Sequence, residues 1–205
     1  MEKLIGKKIN IAVFISGRGT NLNSLIKYFK SNHSRIKIKL VISNNANAKG
    51  LIYAKKNNIK FFVNNFKNIN VSEKQIIKML NKFKIDLICL AGFMRIISKN
   101  FIKNFKKPIL NIHPSLLPKY KGLNTHKRVL LNNEKFSGST VHLVTSKLDS
   151  GKIIMQKKVK ILKLDNIKTL EKKVLKIEHK IYFEALELFC NDQIYWNNNK
   201  PLIKG

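Results

Sequence analysis

The segment "KINIAVFIS", residues 8–16, is apolar at most positions, and it constrains the fold more than any other stretch. A strand with one exposed face alternates apolar and polar residues, whereas a central strand of a parallel sheet is buried on both faces and reads as a continuous apolar run. A glycine-containing turn, "SGRG", follows directly, and an amphipathic stretch comes after it. The segment therefore predicts a central parallel strand that leads into a helix.

The same strand-then-helix order repeats through the first half of the chain. Further predicted strands are "IKIKLVISNN", "KFFVNN", "DLICLAGF" and "PILNIH". Strands alternating with helices predict an α/β fold, here a doubly wound, mainly parallel twisted sheet with helices on both faces. After His113 the order changes: a loop, "PSLLPKYKGLN", and a helix, "THKRVLLNNE", precede two successive strands, a long helix and a terminal strand or tail, "QIYWNNNKPL". Within the third helical segment, Ser72 and Gln75 predict a capping box at the helix start.

The formal net charge of +30 raises the question of nucleic-acid binding. Lysine supplies nearly all of the positive charge, and it rises together with asparagine and isoleucine, as the coding bias of an AT-rich genome would produce. The lysines are spread along the chain, so we predict that it has no specific nucleic-acid partner. A basic surface selected for binding stays open as an alternative. Either origin gives a positive field that attracts anionic substrates.

Composition also bears on compartment and on metal binding. No apolar run approaches the ~18 residues of a membrane span. The apolar run near the N-terminus ends in a glycine turn, which favours a first strand over a signal peptide. Cys89 and Cys190 are the only cysteines, and their separation favours reduced packing residues over a disulfide framework or a metal site. We therefore predict a cytoplasmic protein with no membrane partner and no metal.

The first turn, Ser16 to Leu22, resembles a ligand-binding loop. Glycines let the backbone approach a ligand, and the N-terminus of the following helix offers N–H groups to an anion. A dinucleotide fingerprint would need a third glycine where Leu22 stands, so one phosphate fits better than a pyrophosphate. The alternative is a tight turn in which Thr20 or Asn21 caps the helix.

Asn111 and His113 lie two positions apart at the end of the apolar run "PILNIH". Because side chains alternate along a strand, both point to the same face, and Pro114 favours the end of the strand there. Ligand sites of open α/β sheets lie at the carboxyl ends of the strands. The pair is therefore a candidate oxyanion and proton-transfer site; the alternative is a strand end whose polar groups bond to neighbouring loops.

Asp149 and Glu178 are the candidate acids. A carboxylate at Asp149 would favour the imidazolium form of His113, whereas the alternative is a local turn in "DSG". Glu178 falls on an apolar stripe of the long helix and needs a partner, either a substrate amine or amide or a lysine. His126 and His142 are interpreted as structural residues.

Five segments occur in one order over nearly the whole chain: "SGRGTNL", "LAGFMRIIS", "LNIHPSLLPKYKG", "STVHLVTSKLDSG" and "EHKIY". Together they closely resemble the phosphoribosylglycinamide formyltransferase family, folate-dependent enzymes of purine synthesis with a Rossmann-like fold. The resemblance implies formyl transfer from 10-formyltetrahydrofolate to glycinamide ribonucleotide, without a metal. It also implies one domain, residues 1–205, with a phosphate-binding half over about 1–105 and a folate and catalytic part over about 106–205.

The resemblance further implies residue roles. Asn111, His113 and Asp149 would be catalytic, and Glu178 would contact the glycinamide end of the substrate. The phosphate would bind to Gly19, Thr20 and Asn21. The folate would contact Met94, Arg95, Ile96 and Ile97, the catalytic Asn111, and a closing loop that includes Thr145, Ser146, Lys147 and Leu148. A monomer or weak homodimer acting on small molecules is expected.

The chain departs from the family pattern at two places. Some members carry an arginine that reaches the folate tail, but no arginine occurs between Arg35 and Arg95. Some members carry a histidine where Ser137 stands. The rival interpretations are a methionyl-tRNA formyltransferase-like enzyme, a formyltetrahydrofolate hydrolase and a basic nucleic-acid-binding module. The first two would normally carry an additional domain, and the third explains only the charge.

Overall fold

A computed structural model of the protein describes residues 7–197 and 200–203. The first residues of the N-terminal segment and residues 198–199 of the terminal strand or tail lie outside the described residues. The chain divides into two compact units, Met1–Leu110 and Asn111–Gly205. The expected single domain over residues 1–205 stays a prediction.

The strands occupy the apolar segments of the sequence. They are β1 (Ile9–Ile15), β2 (Ile36–Ser43), β3 (Lys60–Val63), β4 (Leu87–Leu90), β5 (Ile109–His113), β6 (Phe136–Leu143), β7 (Ile153–Lys160), β8 (Ile194–Asn197) and β9 (Lys200–Ile203). Seven of them form one sheet in the order β3-β2-β1-β4-β5-β6-β7, and β8 pairs with β9. The helices are α1 (Thr20–Ser31), α2 (Leu51–Lys56), α3 (Ile69–Lys82), α4 (Lys99–Phe105), α5 (Thr125–Leu131) and α6 (Ile167–Cys190). The predicted α/β class with a mainly parallel sheet is confirmed.

In the first unit, β1 pairs in parallel with β2 and β4, and β2 pairs in parallel with β3. Every β1 residue except Asn10 is buried, as the apolar run predicts. Phe14 packs edge-on against the rings of Phe93 and Phe101. The central strand therefore carries the core of this unit, and its carboxyl end leads directly into the loop before α1.

The predicted capping box at the start of α3 is wrong. The helix begins at Ile69, and the side chain of Asn68 accepts a hydrogen bond from the backbone N–H of Val71. Ser72 lies inside the helix and is buried. The helix thus starts one turn upstream of Ser72, and Ile69 and Val71 in this additional turn are exposed.

In the second unit, β6 and β7 form an antiparallel pair, and α6 contacts both strands. An apolar cluster joins α5 to α6 through Val129, Leu170 and Val174, and Tyr120 packs against it. Helix α6 begins with a capping box between Asn166 and Thr169. This packing holds the segment that follows β5 against α5 and α6.

Gly19 provides a test of the loop after β1. Its φ is +68°, and a Cβ added there would lie 2.5 Å from the Cα of Gly50. We expect Gly19→Ala to lower the free energy of unfolding by about 1–3 kcal/mol, since both the backbone conformation and the close approach oppose a side chain. Thermal and urea unfolding measure this change.

The matched control is Gly17→Ala in the same loop, where an added Cβ would meet nothing within 4 Å. This variant is expected to unfold close to wild type. Equal losses of stability in Gly17→Ala and Gly19→Ala would contradict the close packing of Gly19 against Gly50.

Candidate active site

The carboxyl end of β5 places two polar side chains in the second unit. His113 is the last residue of the strand and is 6% exposed, and Asn111 is half-buried two positions earlier. The His113 carbonyl oxygen accepts hydrogen bonds from the Ser115 backbone N–H and from the Ser139 hydroxyl, both at 2.9 Å. The backbone at the strand end is thereby held rigidly behind the imidazole.

Asp149 reaches His113 from the loop between β6 and β7. Its Oδ2 lies 3.4 Å from His113 Nδ1 and accepts a hydrogen bond from the Gly122 backbone N–H at 2.9 Å. The Asp149 side chain is only 8% exposed. Its carboxyl group is thus directed at the imidazole and at a distant loop, which favours the predicted pairing with His113 over the alternative of a purely local turn.

The other ring nitrogen of His113 is also engaged. Nε2 donates to the Tyr120 carbonyl oxygen at 2.9 Å, so the proton of the neutral imidazole resides on Nε2. Burial lowers the pKa of His113 below its usual value, and the Tyr120 carbonyl and the Asp149 carboxylate oppose this only in part. Asp149 favours the imidazolium, as predicted, but desolvation outweighs this effect, and the pKa of His113 lies below its usual value.

Asp149 itself stays ionised. Burial raises the pKa of its carboxyl group, but its interactions with His142, with the Gly122 N–H and with His113 together bring the pKa below its usual value. The result is a carboxylate beside a mainly neutral imidazole. Such a pair accepts a proton readily once a negative charge develops nearby.

His142 belongs to the same cluster, although its place in an alternating strand had indicated a structural residue. It is 1% exposed, and its Nε2 lies 3.6 Å from Asp149 Oδ1. The clue in the sequence was its position on β6, a few residues before Asp149. Strand alternation alone could not distinguish a site residue from a buried histidine of the sheet, because the partners come from β5 and from a loop.

His142 also orients Asn111. The Nδ1 of His142 donates a hydrogen bond to the backbone carbonyl oxygen of Leu143 at 2.9 Å. In the neutral ring, Nε2 is then an acceptor. Asn111 Nδ2 lies 3.2 Å from that Nε2 and donates to it. The second N–H of the same amide remains a donor that is held in a defined direction. The arrangement is that required of an oxyanion-stabilising amide.

His126, also interpreted as structural, lies at the start of α5 and is half-buried. Burial lowers its pKa, the charge of Glu171 raises it, and proximity to His113 lowers it further. The interpretation of His126 as a structural residue stays a prediction.

The predicted phosphate loop lies in the first unit. Gly19 is the N-cap of α1, and within the described part of the chain no side chain caps this helix. The alternative in which Thr20 or Asn21 serves as the N-cap is therefore wrong, since both residues lie inside the helix. No acidic residue occupies the first turn, so the positive end of the helix dipole is not opposed there.

The segment from Met94 to Ile97 follows β4 in the same unit. Its backbone is anchored by a hydrogen bond from the Met94 N–H to the Ser16 hydroxyl at 2.7 Å. Met94 is 63% exposed and Ile96 is 75% exposed, Arg95 is exposed, and Ile97 is buried. Large apolar side chains exposed on an anchored backbone are suited to contact an aromatic ligand.

The two remaining predicted contacts lie in the second unit. Thr145, Ser146, Lys147 and Leu148 are exposed and precede Asp149 in the loop between β6 and β7. Glu178 is buried on α6, on the stripe that also carries Val174 and Ile181. The ligand contacts of both remain predictions.

No group of histidine, cysteine and acidic residues suited to a metal occurs among residues 7–197 and 200–203. None of the described helices combines the length and apolarity needed to cross a membrane.

Comparison with known proteins identifies a family. The family profile described as "Formyl transferase" matches residues 9–186. A phosphoribosylglycinamide formyltransferase of Haemophilus influenzae is 40% identical over 198 residues, which cover 95% of this chain and 93% of that protein. A trifunctional purine biosynthetic protein adenosine-3 of Gallus gallus is 40% identical over 94% of this chain, and the chain spans only 19% of its length.

Solved structures show the same similarity. A glycinamide ribonucleotide transformylase 1 from Symbiobacterium toebii has a TM-score of 0.92 and 33% identity, with 98% of this chain and 96% of that chain covered. A phosphoribosylglycinamide formyltransferase from Anaplasma phagocytophilum has a TM-score of 0.89 and 38% identity, with 97% and 96% covered.

The lowered pKa of His113 predicts a pH dependence of stability. An imidazole whose pKa is lower in the folded state binds fewer protons there than in the unfolded chain. Its contribution to stability is therefore complete above the unfolded pKa, near 6.5, and declines as the pH falls below that value. We expect His113→Asn to lose less stability than wild type between about pH 7 and pH 5, as measured by urea unfolding across that range.

The matched control is His33→Asn, at an exposed turn position where the φ of +46° suits asparagine. It is expected to retain the wild-type dependence on pH. If His113→Asn and wild type lost stability in parallel, the burial of a neutral imidazole at position 113 would be refuted.

Proposed function

Because this chain belongs to the formyl transferase family, we propose that it transfers the formyl group of 10-formyltetrahydrofolate to the amine of glycinamide ribonucleotide. The products would be formylglycinamide ribonucleotide and tetrahydrofolate, in purine biosynthesis. The observation that carries the proposal is the convergence of Asn111, His113 and Asp149 in the second unit, with His113 and Asp149 at 3.4 Å, in a chain similar to named formyltransferases over nearly its full length.

The phosphate of the ribonucleotide is proposed to bind to Gly19, Thr20 and Asn21. Support comes from the N-terminus of α1, which no side chain caps within the described residues and whose first turn carries no acid. Backbone N–H groups at such a terminus bind phosphate without a dedicated cation. Glu178 is proposed to contact the glycinamide end, where a carboxylate would hold and orient the attacking amine.

The folate is proposed to contact two segments. Met94, Arg95, Ile96 and Ile97 would line the pterin pocket, supported by the anchored backbone and by the exposure of Met94 and Ile96. Thr145 to Leu148 would close over the ligand together with Asn111. The high positive charge of the chain would favour the approach of both anionic substrates.

In the proposed reaction, the substrate amine attacks the formyl carbon, and a new carbon–nitrogen bond forms. Negative charge develops on the formyl oxygen, where the second N–H of Asn111 donates a hydrogen bond. A proton then passes from the attacking nitrogen to N10 of the folate, and the bond between N10 and the formyl carbon breaks. Holding the two substrates together in the reactive orientation lowers the activation barrier of such a reaction by up to about 7–11 kcal/mol.

His113 is proposed to act through a change in its charge. It begins mainly neutral because burial lowers its pKa. The oxyanion adds negative charge beside the ring, which raises the pKa of His113 in the transition state and favours the imidazolium. Asp149, already ionised, stabilises that form. The proton therefore has a temporary acceptor at the moment when the attacking nitrogen releases it.

We propose a cytoplasmic enzyme that acts on small molecules as a monomer or weak homodimer, with all 205 residues in one domain. The enzyme is proposed to have no specific nucleic-acid partner. A methionyl-tRNA formyltransferase-like activity is the second candidate, and its only specific support is the positive charge.

Steady-state kinetics of the purified protein test the catalytic set. We expect 10-formyltetrahydrofolate to be consumed when glycinamide ribonucleotide is present. The absorbance change of the folate measures this loss. His113→Asn should lower kcat by about 10²–10⁴-fold, because the proton acceptor is lost. His33→Asn, the exposed control, should retain wild-type kcat.

Turnover that is unchanged in His113→Asn would refute the catalytic role of that imidazole. Formylation of methionyl initiator tRNA in the same assay, without any formylation of the ribonucleotide, would instead establish the second candidate function.

The role of His142 gives a separate kinetic prediction. His142→Phe removes the acceptor that orients the Asn111 amide, so kcat should fall by roughly tenfold to a hundredfold through misplacement of that donor. His142→Gln keeps a polar acceptor and should retain more activity than His142→Phe. Equal activity of the two variants would show that the orientation of Asn111 does not depend on His142.

A further inference from the structure

The segment Tyr120–Gly122 contacts both partners of the His113–Asp149 pair. The Tyr120 carbonyl accepts a hydrogen bond from His113 Nε2 at 2.9 Å. The Gly122 N–H donates to Asp149 Oδ2 at 2.9 Å. Backbone groups of opposite polarity, two residues apart, therefore fix the imidazole on one side and the carboxylate on the other. The path of this short segment determines how the pair is aligned.

The backbone of Tyr120 does not adopt this path without support. Its φ is +56°, in the left-handed region that side chains other than those of glycine, asparagine and aspartate rarely occupy. An aromatic residue at such a position persists where the surroundings hold it in place. The supporting contacts should therefore be found around the Tyr120 side chain.

Three side chains hold Tyr120. Its hydroxyl group donates to Glu134 Oε1 at 2.8 Å and accepts from Asn132 Nδ2 at 2.9 Å. The Arg128 guanidinium lies over the ring, 5.4 Å from its centroid, and its NH1 donates to the Lys121 carbonyl at 2.6 Å. These contacts, here called the Tyr120 clamp, join the segment to α5 and to the turn that follows it. The ring also packs on the apolar cluster between α5 and α6.

We infer that Tyr120 is a positioning residue: the Tyr120 clamp sets the backbone path that aligns His113 with Asp149. Glu134 and Arg128 act through Tyr120 and do not contact the reacting atoms. The inference deepens the proposed function, on which it rests for its kinetic consequence alone. Its structural consequence, a His113 ring with the proton fixed on Nε2, holds whatever reaction the site performs.

The decisive variant is Tyr120→Phe, which keeps the ring and removes the hydroxyl group. In the full-length ¹⁵N-labelled protein, the imidazole nitrogen signals report which nitrogen of His113 carries the proton. Wild type should show the Nε2-protonated ring, whereas Tyr120→Phe should show a mixture of both neutral forms. The kcat of the variant should fall about tenfold with little change in either KM, since alignment and not substrate binding is altered.

Two further variants complete the test. Arg128→Ala removes the ring contact and the bond to Lys121, and should reproduce the change in the His113 signals. Lys119→Ala removes an exposed ion pair with Glu134 and leaves the Tyr120 hydroxyl bond, so it should match wild type in both measurements. Thermal unfolding of each variant separates a loss of stability from a loss of alignment.

His113 signals in Tyr120→Phe that match wild type would overturn the inference, as would altered signals together with a wild-type kcat in an active enzyme. If the wild-type protein transfers no formyl group, the proposed function fails, but the nitrogen signals still decide whether the clamp positions His113. The two failures are therefore distinguishable.

Discussion

A carboxylate held between two buried imidazoles is the interaction on which the candidate site depends. Asp149 lies 3.4 Å from His113 and 3.6 Å from His142, and its side chain is 8% exposed. A buried carboxylate without partners would be strongly disfavoured. The Gly122 N–H donates a hydrogen bond to Asp149, and the pKa of the carboxyl group lies below its usual value, so its charge is available to a developing imidazolium.

The balance between burial and charge explains why His113 is suited to proton transfer. Its desolvation lowers the pKa, while the Tyr120 carbonyl and Asp149 oppose the change. A histidine fully compensated by a carboxylate would hold its proton permanently, and one buried without such a partner would not accept it. The arrangement lies between these limits, so a negative charge on a bound substrate can shift the equilibrium.

Several residues around the site have a left-handed backbone conformation. Tyr120, Asn124 and Asp149 all have positive φ values, of 56°, 56° and 43°. Such conformations are held by the surrounding contacts and cluster at functional positions. At Tyr120 the turned backbone directs its carbonyl oxygen to His113, and Glu134 and Arg128 stabilise this turn through the Tyr120 side chain.

The sequence by itself determined the α/β class, the central buried strand and the candidate residues Asn111, His113 and Asp149. It could do so because side-chain period, apolar runs and motif order are local properties that the chain displays directly. The pKa of His113, the inclusion of His142 and the Tyr120 clamp were decided only by the tertiary structure. Each depends on groups that are distant in sequence: His142 meets Asn111 across 31 positions, and Asp149 meets Gly122 across 27. Periodicity cannot reveal such contacts, since burial and hydrogen-bond partners exist only once β5, β6 and the loops have packed together.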